Sequence, residues 1–195
     1  MSDETCRLLD AAGALSQLLV ANRVPHAFYG SVFTAVLANS PRCDEIYCIV
    51  EGGRNQSHPF RRVRDAITGD DFSVTLSPYT TRMLVTYRRP IPAIEIEILP
   101  SGEAGPRHLD TFTIINIQGI PFLNFSEFIR AKLKVSQYRC SGMSARDAQD
   151  ISLILSRYWN RIDINRIPEQ DMNHFVARNN ASQPWWSAIK RKYDS

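Results

Sequence analysis

Gly30 and Ser31 join an extended segment to a helix, and this junction is the feature that most constrains the fold. Residues 24–29 before it are mostly apolar, which predicts a short strand. Residues 32–38 after it predict a helix that stops at a polar, proline-containing segment. Residues 45–50 are rich in apolar and aromatic side chains and predict a second strand. The sequence therefore predicts a strand, a turn and a helix with exposed backbone amides at its N-terminus, followed by a second strand.

The rest of the pattern divides the chain near Asn124. Before this point, helical spacing predicts a first helix over residues 5–21. Also predicted there are a short basic helix at 60–67 and strands at 72–76, 82–88, 92–99 and 111–117. Beyond it the signals are helical, with starts marked by the capping boxes Asn124 with Glu127 and Ser144 with Asp147, and by Pro168 and Pro184. We predict an α+β fold, with a mixed-sheet core in residues 1–123 and a helical part in residues 124–195 packed on it as one compact unit.

Charge and composition exclude several classes of protein. The 23 basic and 20 acidic residues nearly balance, so the formal charge of +3 does not predict a nucleic-acid-binding face. The N-terminus lacks an apolar signal segment and no stretch is long enough to cross a bilayer, which predicts a cytoplasmic protein without membrane contact. The cysteines have neither zinc nor disulfide spacing. Cys48 lies in an apolar strand and is predicted to be a core residue rather than a nucleophile.

Alternation along two predicted strands gathers acidic side chains. On the first strand Glu45 and Tyr47 point to one face, and on the second Glu95 and Glu97 do the same. If the two strands are neighbours, these side chains line one shared cavity. The alternative is a solvated sheet face on which the two later glutamates pair with an arginine of the preceding strand, either Arg82 or Arg88.

The HAFYGS turn, the acidic strand after it and the later IEIEI strand follow an order that resembles the nucleotidyltransferase superfamily, including its minimal and toxin-like branches. The segment GIPFLNFSEFIRAKLKVSQYR looks like the family's strand that leads to a lysine-bearing helix. RDAQDISLIL looks like the family's helix with an Arg-Asp-x-x-Asp motif. The resemblance spans residues 5–160 and implies a nucleotidyltransferase-like mixed sheet flanked by helices.

The resemblance also implies a site for a nucleoside triphosphate and two magnesium ions. Gly30 and Ser31 match the turn that presents amides and a hydroxyl to the triphosphate. Glu45 matches the first metal-binding carboxylate, and Glu95 or Glu97 matches the third. Two metal ions held in this way activate the attacking hydroxyl and stabilise the leaving pyrophosphate.

Tyr47 departs from the family pattern because it stands where the second carboxylate is expected. A phenol with an ordinary pKa of about 10 is a poor ligand for a hard cation. Asp44 is close in sequence, but strand alternation points it to the opposite face. We therefore predict that no metal and no cofactor binds. If a metal binds, Glu45 and Glu97 are its predicted ligands, and the alternative cofactors are Mg²⁺ and a nucleoside triphosphate.

Lys132 also matches a family position, together with Asp147 and Asp150. In the family pattern this lysine is a candidate ligand contact. A buried ion pair between two helices explains the same residues equally well, because a lysine and an aspartate on facing helices neutralise each other. Both interpretations remain open from the sequence.

Three functions are compatible with these motifs. The first is binding of a small organic molecule, extending to a metal-free cyclase or pericyclase of specialised metabolism, because such reactions need mainly a shaped pocket and hydrogen-bond donors. Its predicted catalytic residues are Glu45, Tyr47, Glu95 and Glu97. Its predicted ligand contacts are Gly30, Ser31, Tyr29, Asp44, Tyr87 and Lys132, with Phe28 and Tyr79 as further wall residues.

The two alternatives differ in chemistry. One is a divergent metal-dependent nucleotidyltransferase that uses Asp44, Glu45 and either Glu95 or Glu97, and transfers a nucleoside monophosphate to a hydroxyl of a small molecule, a protein or RNA. The other is a non-catalytic interaction protein that uses the fold as a surface. Substrate and oligomeric state are not predicted by the sequence.

Overall fold

The computed structural model describes residues 2–40, 45–53, 57–77, 82–103, 105–138 and 143–193, with residues 135–138 as backbone only. The chain divides into two compact units, Met1–Leu123 and Asn124–Ser195. The first contains helices α1 (Asp3–Ala21), α2 (Ser31–Ala38) and α3 (Pro59–Ala66). Its strands are β1 (His26–Tyr29), β2 (Tyr47–Val50), β3 (Phe72–Leu76), β4 (Met83–Tyr87), β5 (Ile94–Pro100), β6 (Ile114–Ile117) and β7 (Ile120–Leu123). The second unit contains α4 (Phe125–Tyr138), α5 (Ala145–Tyr158), α6 (Glu169–Arg178) and α7 (Gln183–Tyr193).

The strands form one mixed sheet in the order β3-β4-β5-β2-β1-β7-β6. β2 pairs with β5 in parallel and β1 pairs with β7 in parallel, whereas the other neighbours are antiparallel. The predicted α+β fold, with a mixed sheet and a helical C-terminal part, is confirmed. The pairing of β2 with β5 also makes neighbours of the two acidic strands.

The helices of the first unit cover one face of the sheet, which we call the helix face. Gly13 of α1 lies against Ile120, and Phe33 of α2 lies against Phe122, with ring centroids 6.0 Å apart. α3 packs on β2, β5 and α1. The same face carries Cys48, which is fully buried, and burial raises the pKa of its thiol. Cys48 is therefore a core residue, as the sequence predicted.

His26 is a buried polar residue beneath α1. Its Nδ1 lies 2.8 Å from the carbonyl oxygen of Val24, and its Nε2 lies 2.8 Å from the hydroxyl of Ser16. A carbonyl only accepts, so Nδ1 carries the proton and Nε2 accepts from the serine. Both ring nitrogens are satisfied by a neutral imidazole, and burial lowers the pKa of His26 below its ordinary value.

The buried imidazole predicts a pH dependence of stability. Because the pKa of His26 is lower in the folded chain, the unfolded chain binds a proton more readily. The stabilising contribution is complete above the unfolded pKa of 6.5 and is lost as the pH falls through and below it. Urea unfolding at neutral and mildly acidic pH should show this loss in the wild type and less of it in His26→Gln. His174→Gln changes an exposed histidine and should lose as much stability at acidic pH as the wild type. Equal pH dependence in all three proteins would contradict the assignment.

The helices of the second unit begin where the capping residues predict. The Asn124 Oδ1 accepts a hydrogen bond from the Glu127 amide at 3.0 Å, and the Ser144 Oγ accepts one from the Asp147 amide at 3.1 Å. α7 is anchored within this unit by Trp186, which is buried and donates from Nε1 to the Asn173 Oδ1 at 2.8 Å. Within the described ranges, no helix is both long and apolar enough to cross a membrane.

Candidate functional site

A row of four side chains crosses the sheet on the face opposite the helices, which we call the open face. Tyr29 of β1 is in register with Tyr47 of β2, Tyr47 with Glu97 of β5, and Glu97 with Leu84 of β4. The rings of Tyr29 and Tyr47 are stacked, with centroids 5.0 Å apart and an interplanar angle of 28°. Tyr29 is buried and Tyr47 is half-buried. The aromatic pair therefore forms one end of the row, and Glu97 is in register with Tyr47 beside it.

Gly30 is required by the turn that precedes α2. Its φ of 122° and ψ of −167° belong to a region of backbone conformation that is essentially restricted to glycine. A Cβ at this position would lie 2.6 Å from the carbonyl oxygen of Glu45 and 3.2 Å from the Tyr47 ring. The turn thus passes directly over Glu45, just before the start of β2.

The turn is tied to Glu45 by hydrogen bonds. The backbone amide of Glu45 donates to the Ser31 Oγ at 2.9 Å, and the amide of Val32 donates to the Glu45 carbonyl at 3.3 Å. One amide at the N-terminus of α2 and the hydroxyl of Ser31 are therefore engaged with protein backbone. The same groups are those that the family resemblance assigns to a triphosphate.

Glu97 connects the row to a pocket of about 280 Å³. Its side chain is 16% exposed and pairs with the Nε of Arg82 at 3.2 Å, whereas Arg82 is 63% exposed. The pocket is also lined by His58 and Phe60 at the start of α3, and by Leu99 and Glu103 at and after the end of β5. The predicted alternative, a glutamate paired with an arginine of the preceding segment, is thus present at Glu97.

The first turn of α3 positions the wall of this pocket. The His58 Nδ1 accepts a hydrogen bond from the Phe60 amide at 3.2 Å, and the two rings meet edge to face with centroids 4.7 Å apart. Arg62 donates to the carbonyl oxygens of Glu51 at 2.8 Å and Gly52 at 3.0 Å, which joins α3 to the end of β2. Neither the contribution of His58 nor that of Arg62 was predicted from the sequence.

Other predicted site residues do not line the pocket beside Glu97. Glu95 shares the open face with Glu97 but is exposed. Phe28 and Tyr87 lie on the helix face, where Phe28 packs against Phe122 and Tyr87 against Phe72. They are therefore core residues and not walls of the Tyr47 row. Asp44 and Tyr79 lie outside the described residues.

The arrangement of strands and helices is shared with solved structures of very different sequence. An antigenic nucleotidyltransferase-like protein from Paracoccidioides brasiliensis aligns with a TM-score of 0.64 and 18% identity, covering 94% of this chain and 91% of that one. JHP933 from Helicobacter pylori aligns with a TM-score of 0.59 and 12% identity, covering 100% and 97%. A protein named as a candidate nucleotidyltransferase from H. pylori gives 0.58 and 14%, covering 97% and 84%.

The chain has a nucleotidyltransferase-like fold. No family model and no curated protein matches the sequence. At identities this low, the structural similarity establishes the fold and leaves the chemistry to the residues of the site. The predicted nucleotidyltransferase-like fold is thus confirmed, and the roles of individual residues stay predictions.

The resemblance expects the first and second carboxylates at Glu45 and Tyr47, and the third at Glu95 or Glu97. Glu45 lies two residues before β2, and Tyr47 is the first residue of that strand. Tyr47 is stacked on Tyr29, and Glu97 is paired with Arg82. In the part of the chain that the structure describes, no three His, Cys, Asp or Glu side chains are grouped so as to hold a metal ion. The described residues of the open face therefore do not fit the two-metal arrangement.

Lys132 lies in the second unit, within a buried ion cluster. Its ammonium is 2.7 Å from the Asp147 Oδ1 and 3.4 Å from the Asp150 Oδ2, and the three side chains are at most 9% exposed. Asp147 also accepts a hydrogen bond from the Ser144 hydroxyl at 2.8 Å. This is the inter-helix contact that the sequence analysis held open, and a ligand contact by Lys132 stays a prediction.

Proposed function

We propose that this chain uses a nucleotidyltransferase-like fold to bind a small organic molecule without the two-metal chemistry of nucleotidyl transfer. The observation that carries the proposal is the stacked pair of Tyr29 and Tyr47 at the second carboxylate position, beside Glu97 and the pocket that Glu97 shares with Arg82. Concave sites with an aromatic or apolar wall and a few convergent polar groups are the usual form of small-molecule sites.

The hydrogen bonds of the turn at Gly30 and Ser31 support the same proposal, because they engage groups that a triphosphate would need. A triphosphate site at a helix N-terminus needs amides and hydroxyls directed at the phosphate oxygens. Here the Ser31 hydroxyl accepts from the Glu45 amide, and the Val32 amide donates to the Glu45 carbonyl. A triphosphate would have to compete with both of these hydrogen bonds and would lack the carboxylate that Tyr47 replaces.

The reaction that the bound molecule undergoes is a separate prediction from binding. Tyr47 offers a phenol in the row and Glu97 a carboxylate in the lining of the pocket, which are groups able to donate and accept protons. A metal-free cyclisation of the bound molecule, the first function that the sequence suggested, stays a prediction that these two residues would serve. It requires a substrate held in a reactive conformation, which the pocket would have to supply.

A library of small organic compounds, screened by thermal shift in the presence of a metal chelator, tests the proposal. We expect at least one compound to raise the melting temperature of the wild type, with saturation in a titration. Because Phe60 forms an apolar wall of the pocket, Phe60→Ala should abolish that shift. Phe112→Ala is the matched control, since Phe112 is 72% exposed and does not line the pocket.

Two outcomes would overturn the proposed function. One is a screen in which no compound stabilises the protein. The other is stabilisation only by a nucleoside triphosphate with Mg²⁺ or Mn²⁺, which would instead support the divergent nucleotidyltransferase. Binding that survives in Phe60→Ala would move the site away from the pocket.

A further inference from the structure

The pocket beside Glu97 carries both signs of charge. Arg82 contributes a guanidinium, whereas Glu97 and Glu103 each contribute a carboxylate. The ion pair between Arg82 and Glu97 joins Nε to Oε1 at 3.2 Å. Glu103 is exposed at the rim. The pocket thus offers a cationic hydrogen-bond donor together with an excess of carboxylate.

The charges restrict the class of ligand. A purely anionic molecule would gain Arg82 but would meet two carboxylates, and like charges brought together are destabilising. A purely cationic molecule would gain the two carboxylates but would meet the guanidinium. A molecule with one carboxylate and one ammonium group has a partner of opposite charge for each of its groups in the pocket. Guanidinium groups bind carboxylates with two parallel hydrogen bonds, which also fixes the orientation of the ligand.

The size and the walls of the pocket restrict the class of ligand further. The volume of about 280 Å³ lies just below the range of about 300–1,000 Å³ that is typical of sites for drug-sized ligands. The walls away from the charges are Phe60, Leu99 and Pro100. His58 adds a polar group, because its Nδ1 already accepts from the Phe60 amide and a singly protonated ring carries its proton on Nε2.

We infer that the pocket binds a zwitterion of amino-acid size, with its carboxylate on Arg82, its ammonium between Glu97 and Glu103, and its side chain on Phe60. The inference rests on the proposed function and names the ligand class of the same site. The Glu97 carboxylate lies beside Tyr47 in the register of β2 and β5. An amino group bound there is next to the row that the proposed function places at the centre of the site.

Calorimetric titration of the wild type with each standard amino acid, in a metal chelator, tests the inference. We expect saturable binding of at least one amino acid. The matching acid without the amino group and the matching amine without the carboxylate should each bind about tenfold more weakly or worse, because each loses one charge-assisted contact. Arg82→Gln should weaken the amino acid and the deaminated acid but not the amine. Glu103→Gln should weaken the amino acid and the amine but not the acid.

Arg61→Gln is the control, because Arg61 is also an exposed arginine with an acidic neighbour, Asp65 at 3.8 Å, and does not line the pocket. It should leave all three affinities unchanged. The inference is overturned if no amino acid binds, or if the deaminated acid binds as tightly as its parent. If library compounds bind while amino acids do not, only the ligand class is wrong. If neither binds, the proposed function fails as well.

Discussion

Lys132→Ala should lower the free energy of unfolding by about 3–5 kcal/mol, the usual result of removing one partner from a buried ion pair. The ammonium of Lys132 lies between Asp147 and Asp150, and these side chains are almost fully removed from solvent. Without the lysine, two carboxylates remain close together in a medium that solvates them poorly. Urea unfolding followed by far-UV circular dichroism measures the loss.

Lys190→Ala is the matched control within the same helical unit. Lys190 also pairs with an acidic residue, Glu169 at 2.7 Å, but their side chains are 35% and 65% exposed. Water and salt screen such a pair, so the expected loss is at most about 1 kcal/mol. Equal losses for the two variants would show that the Lys132 cluster does not contribute as a buried cluster. Partial recovery in Lys132→Arg would support a role based on charge.

Gly30→Ala should lower the free energy of unfolding by about 3 kcal/mol. The alanine would occupy a backbone region that costs non-glycine residues about 1–3 kcal/mol, and steric overlap adds to this cost. The overlap is with the Glu45 carbonyl, at 2.6 Å from the added Cβ, and this is rigid backbone rather than the end of a side chain. The turn would have to shift away from the acidic strand. The loss is measured by unfolding, and the displacement by the amide signals of Val32 and Glu45 in NMR spectra.

Gly69→Ala is the matched control, because it measures the cost of a positive φ without the steric overlap that occurs at Gly30. Gly69 also has a positive φ, of 87°, but a Cβ there would meet nothing within 4 Å. The expected loss is about 1–2 kcal/mol, the cost of a left-handed conformation alone. If Gly30→Ala cost no more than Gly69→Ala, the close approach of the turn to Glu45 would not be a constraint on this fold.

The sequence predicted the elements whose signals are local. The turn at Gly30, the capping residues Asn124 and Ser144, and the alternation in β5 all depend on neighbouring residues and were recovered in the structure. Alternation also placed Tyr47 and Glu97 on the same face once the two strands were neighbours. The resemblance to a known family supplied that last condition, since strand order is not contained in alternation.

The features that the sequence missed depend on distant parts of the chain. The predicted strand at 111–117 is followed by a tight hairpin at Gln118 and Gly119, both with positive φ, which separates β6 from β7. The pocket beside Glu97 joins the start of α3 to the end of β5, and the intervening residues give no sign of that contact. The hydrogen bonds of Arg62 were not predicted because its carbonyl partners have no sequence pattern.

Calorimetry with nucleoside triphosphates tests the central claim most directly. The claim is that Tyr47, which is stacked on Tyr29, stands in place of a metal-binding carboxylate, so that the chain does not carry out two-metal nucleotidyl transfer. We predict that titration of the wild type with each nucleoside triphosphate, in Mg²⁺ or Mn²⁺, gives no saturable heat. Saturable, metal-dependent binding that is lost in Glu45→Gln would contradict the claim.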